Sequence, residues 1–136
     1  MLLVAVVLAV SGCGGGGPPP PDAQLNVEEV ATWYTRYRAK HNRRPPPNEA
    51  AFVAFINKTL KEEQGITEGM REDFLISPRD GKKFVINYGK PMSTNADKNI
   101  VVYEQEGYDG KKWFATEQGN SQEVDDAQLK QLLAAK

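Results

Sequence analysis

This chain of 136 residues has one cysteine and one histidine, and each scarcity closes off a class of function. A single cysteine cannot build an internal disulfide framework, so the folded part must hold itself by its core. Transition-metal centres need several Cys or His ligands close together, and His41 stands alone. No serine or cysteine nucleophile has a histidine partner beyond His41. The formal net charge of -1 says nothing about a polyanionic partner. No glycine-rich loop joins a strand pattern to a helix pattern, so no phosphate cradle can be read. There is also no apolar run long enough to cross a bilayer. The unbroken run Leu2 to Val10 would rise about 14 Å as a helix, roughly half a hydrocarbon core.

That run has instead the length of the apolar part of a secretory signal. It closes on Val10-Ser11-Gly12-Cys13: an aliphatic residue, two small ones, then the cysteine. The stretch resembles the lipobox of bacterial lipoprotein precursors. The resemblance covers the first thirteen residues, and the basic residue usual before the run is absent, Met1 abutting Leu2. It implies a signal peptide over 1–12 that is removed. It also implies that Cys13 is joined to diacylglycerol and then acylated, for example by palmitate. Two or more chains hold a protein firmly in a membrane, whereas one does so only marginally. The implied location is the cell envelope, membrane-anchored. Gly14, a residue other than aspartate, implies the outer membrane if the cell is Gram-negative. An ordinary secretory leader with an incidental cysteine is the alternative. Residues 13–25 are then a tether: Gly14 to Gly17 flexible, Pro18 to Pro21 stiff and extended.

Residues 26–136 suffice for one small domain. Asn26 with Glu29 reads as a helix cap, and Val27, Val30, Tyr34 and Tyr37 form an apolar stripe running to about Lys40. Pro45-Pro46-Pro47 forces a corner. Asn48 caps a second helix whose stripe is Phe52, Phe55, Ile56, Thr59 and Leu60, closed by Gly65. The pattern then turns to strands: Phe74 to Ile76, Phe84 to Tyr88, Ile100 to Glu104, Lys112 to Thr116 and Gln122 to Val124. Ser77-Pro78-Arg79-Asp80-Gly81, Asp109-Gly110 and Gly119-Asn120 supply the turns. Short connections predict an antiparallel meander. Asp125 and Gln128 cap a last helix, with Val124 stapled to Leu129 and the stripe continued by Leu132 and Leu133. The expected class is α+β: two N-terminal helices, four to five short strands and a C-terminal helix, with the helices on one face of the sheet. This order is similar to small bacterial envelope proteins of unassigned role. The likeness to pseudopilin heads is faint, the long assembly helix being missing, so no assembly function is carried over.

One segment stands out by charge: Arg36, Arg38, Lys40, His41, Arg43 and Arg44 crowd the end of the first helix. Cations there offset the helix dipole, which is a structural use. The functional use is electrostatic contact with an anionic envelope polymer or with lipid headgroups, the candidate contacts being Arg36, Arg38, Lys40, Arg43 and Arg44. Nucleic acid is not an expected partner of an exported chain. Lys82-Lys83 and Lys111-Lys112 could add a basic rim. Glu104 with Glu106, and Glu62 with Glu63, are the carboxylate pairs that a wall-glycan-acting enzyme would need, and neither lies in a cleft motif. Asn95, Asp97 and Asn99 alternate as calcium ligands do, but Lys98 and the absent distal glutamate favour a plain polar loop. The reading is a non-catalytic, lipid-anchored envelope protein that binds or scaffolds an envelope protein or polymer, with no cofactor and no metal.

Overall fold

The computed structural model describes residues 23–71, 73–90 and 99–134. The signal peptide, Cys13, the Gly/Pro tether, Asn95 and Asp97 lie outside the described residues. The first helix, α1 (Ala23–Lys40), starts three residues before the cap expected at Asn26. Ala23, Gln24 and Leu25 are all tolerant of or good for helix, and Ala23 is fully buried, so packing extends the helix backwards. Val27, Val30, Ala31, Tyr34 and Tyr37 form its buried stripe. In α2 (Glu49–Gln64), Asn48 Oδ1 accepts the Ala51 N–H at 2.8 Å, and Gly65 ends the helix at φ 67°. Between them Pro46 is fully buried, and its carbonyl accepts the Gly89 N–H at 2.9 Å. The helices meet through edge-on rings: Tyr34 on Phe52 at 6.2 Å and Tyr37 on Phe55 at 5.2 Å between centroids. Such contacts add to the apolar area the rings remove from water.

The sheet is the expected meander. β1 (Val85–Ile86), β2 (Ile100–Tyr103), β3 (Lys111–Thr116) and β4 (Ser121–Asp125) lie in chain order, every pair antiparallel. The strand expected at Phe74 to Ile76 is a turn with a single bridge, Ile76 to Lys83. Hydrogen bonds from Phe74 N to Arg71 O and from Ile76 N to Asp73 O curl this segment. Phe74 and Leu75 are both buried, so the pair plugs the core instead of alternating across a sheet. At the β2–β3 hairpin, Asp109 and Gly110 have φ of 51° and 74°, and Tyr108 and Lys111 exchange backbone hydrogen bonds. That is the mirror-image turn which the Asp-Gly pair favours.

The helices do not all lie on one face. Register sets Ile86, Val102 and Ala115 in line, and these pack with α1 and α2. Phe114, Val124, Ile100 and Tyr103 occupy the opposite face, where Leu129 of α3 (Asp126–Ala134) joins them. A bulge between Ile100 and Val102 puts both Ile100 and Tyr103 on that side. The cause is local. β4 runs into α3 with no connecting residue, and Asp125 and Gln128 cap each other reciprocally, at 2.7 and 3.2 Å. Val124 precedes that cap and packs with Leu129, so α3 stays on the face of Val124. The other face is already taken by α1.

Candidate functional site

The basic segment is built on the last turn of α1. Arg38 O accepts the N–H groups of His41 and Arg43, at 3.2 and 2.8 Å, and His41 O accepts that of Arg44 at 3.0 Å. Asn42 and Arg43 are held left-handed, at φ 53° and 61°. Such a conformation costs a side-chain-bearing residue about 1–2 kcal/mol, so other contacts must impose it. Arg38 supplies one: its Nε donates to Arg43 O at 2.9 Å while the guanidinium pairs with Glu117 in the β3–β4 loop. His41 stacks flat on Tyr37, 3.8 Å between centroids, with Nδ1 2.8 Å from Tyr37 O. A carbonyl only accepts, so Nδ1 carries the proton.

The structure therefore divides the expected contacts. Arg36 pairs with Glu63 and lies over the Trp33 ring at 4.7 Å, and Arg38 is committed to Glu117 and the turn. These two are engaged by partners within the fold. Lys40, Arg43 and Arg44 are exposed and make no ion pair or side-chain hydrogen bond among the described residues. Sequence reasoning missed a further member, Lys90. It is exposed and follows Gly89, whose N–H is bonded to Pro46 O. That bond, with Gly89 close to the Pro47 backbone, brings the chain at Lys90 to the proline corner. Its signal was a glycine-lysine pair after a strand, which says nothing until the fold pairs it with the prolines. Of the lysines of the expected basic rim, Lys111 is exposed without an ion pair among the described residues, and the other three are paired. Lys82 pairs with Glu106, Lys83 with Glu49 and Lys112 with Asp126. Lys112 and Lys130, hydrogen-bonded to Asp126, hold its carboxyl below the usual aspartate range.

Sequence reasoning also missed a buried cluster beneath the Ser77-to-Gly81 turn. Glu104 has no exposed side-chain surface, nor has Arg79. Glu104 Oε1 accepts Ser77 Oγ at 2.5 Å and Arg79 Nε at 3.1 Å; Oε2 accepts Arg79 Nη2 at 2.6 Å and Trp113 N at 2.8 Å. Arg79 reaches onward to Glu123 Oε2 at 2.6 Å and Lys111 O at 3.2 Å. Burial by itself would lower the pKa of Arg79, but hydrogen bonds and charges of Glu104 and Glu123 outweigh it and raise the value. Asp80 of the same turn accepts the backbone N–H of Lys82, Glu106 and Gly107 at 2.8, 2.9 and 2.8 Å. Every lone pair of Glu104 is thus occupied, while Glu106 is exposed and bonded to Lys82, so these two carboxylates do not face a common site. The clues were an arginine inside a Pro/Asp/Gly turn and a glutamate ending an apolar strand.

Among the described residues, no three His, Cys, Asp or Glu side chains converge as a metal site would need, and no helix is long and apolar enough to cross a membrane. The chain matches no family model, no curated protein and no solved structure at a significant level.

Proposed function

We propose that this chain is a lipid-anchored, non-catalytic protein of the cell envelope, acting by binding or scaffolding through its basic corner. The observation that carries the binding half is the corner itself. Lys40, Arg43, Arg44 and Lys90 are all exposed without acidic partners among the described residues, whereas Arg36, Arg38, Lys82 and Lys83 each have one. The left-handed turn and the buried Pro46 hold the backbone beneath these cations, so less order is lost when an anion is bound. Guanidinium groups suit phosphate or carboxylate oxygens, which they engage in pairs.

The anchoring half rests on Val10-Ser11-Gly12-Cys13. Its test is metabolic labelling of producing cells with a clickable fatty acid. Wild-type chain takes up label and Cys13→Ala takes up none; equal labelling of the two, or no label in either, ends the lipoprotein reading.

A further inference from the structure

The corner and Ala23, the first described residue, lie at opposite ends of α1. The chain enters α1 at Ala23 and leaves it at Lys40, seventeen residue steps, or about 25 Å, further on. The first turn of α1 carries Leu25, 61 % exposed, the most exposed large apolar side chain among the described residues. The far end carries Lys40, Arg43, Arg44 and the adjoining Lys90, with no exposed large apolar residue in that segment. Surfaces that lie on membranes combine cations with apolar groups that enter the acyl boundary. Here the two kinds of residue are segregated by the length of a helix, and the apolar one is on the side where the chain comes from.

Resting on the proposed anchoring at Cys13, we infer that the basic corner points away from the anchoring membrane and binds a polymer bearing repeated phosphate or carboxylate groups. It does not serve the headgroups of that membrane. Lys40, Arg43 and Arg44 fall within five consecutive residues, and the Gly89–Pro46 bond sets the chain at Lys90 against the proline corner that follows them. Several cations grouped in this way match charges repeated along a polymer. The carbonyls of Arg38 and His41 at the helix end are capped by backbone N–H groups, which removes acceptors that would repel an anion.

The two lysines report on the corner directly. The lipidated full-length chain is set in phosphatidylcholine vesicles, and acylation of exposed amines is followed residue by residue. Lys130 on α3 is the internal control. Long-chain polyphosphate or polygalacturonate slows acylation of Lys40 and Lys90 at least about fivefold and leaves Lys130 unchanged. With four cations engaged at about -0.7 per charge on a log–log salt plot, affinity falls about 50-fold between ~50 and ~200 mM salt. Arg43→Glu with Arg44→Glu retains both reporter lysines and abolishes the protection. Vesicles containing phosphatidylglycerol, without polymer, leave Lys40 and Lys90 as reactive as in phosphatidylcholine. Protection by phosphatidylglycerol as strong as by polymer overturns the inference, while the basic contact of the proposed function stands. Stronger protection by duplex DNA, or none by either polymer, also overturns it. Failure of the anchor itself shows separately, as a chain that takes up no fatty acid and does not stay with the vesicles.

Discussion

Glu104 has no exposed surface, yet all four of its acceptor positions are filled, by Ser77, by Arg79 twice and by Trp113 N–H. A buried ion pair of this kind is a weak source of net stability but a strong source of instability when halved, because the survivor is left charged and dry. Arg79→Ala should therefore cost about 3–5 kcal/mol. The double change Arg79→Met with Glu104→Met should cost markedly less than Arg79→Ala. Chemical denaturation of the three proteins checks this, and a double variant weaker than the single one would refute it. Ser77→Ala removes only one of the four donors, a neutral one to a charged acceptor, and should cost about 1.5–3 kcal/mol, less than the arginine's loss.

At the scale of elements, the stripes were legible, and so were the caps apart from Asn26, which lies inside α1. Asn48, Gly65 and the Asp125–Gln128 box stand where their residue types demand, because a cap is decided within four residues of chain. The basic corner was only half legible. Its sequence shows six basic side chains but not that Glu63 and Glu117, from other elements, neutralise Arg36 and Arg38, nor that Gly89 brings in Lys90. The Phe74 to Ile76 segment reads as a strand because three apolar residues in a row carry no period of their own. The side taken by α3 was not legible either, being set by the missing loop after β4. That helix has nine residues, and Leu129 is its one buried position, with Leu132 and Leu133 41 % and 42 % exposed. Leu129→Ala should then cost about 2–5 kcal/mol of local stability. Hydrogen exchange should rise across α3 while the amides of α1 keep most of their protection. Equal loss in both helices would mean that the two faces unfold as one.

For the whole molecule, two tyrosines tie the helical layer to the sheet. Tyr34 is fully buried and donates to Asn87 O at 2.6 Å, and Tyr88 packs edge-on against Phe52 at 6.2 Å. Burial raises both phenols above the ordinary value of 10.0, with Arg38 opposing the shift at Tyr34 and Glu49 adding to it at Tyr88. The folded chain thus keeps protons that the unfolded chain gives up. Their contribution is complete below pH 10.0 and is lost as pH rises beyond it, at up to about 1.4 kcal/mol per pH unit for each tyrosine. Melting temperature should hold up to that pH and then fall steeply. Tyr34→Phe should start lower and fall less steeply; an unchanged alkaline slope would show that the other tyrosines carry the effect.

The reach of Arg79 has a consequence for how the chain assembles. Its partners lie 25 and 44 residues downstream, so a nascent chain that has made the turn must wait for β2 before the guanidinium is neutralised by Glu104 and for the last strand before Glu123 completes the cluster. Closing such long spans is slow compared with forming α1 or α2, and the reward comes only at the end. A chain that ends before Glu123 should keep the Arg79–Glu104 pair but leave Arg79 Nη1 without its carboxylate, so the buried cluster is completed only by the last strand.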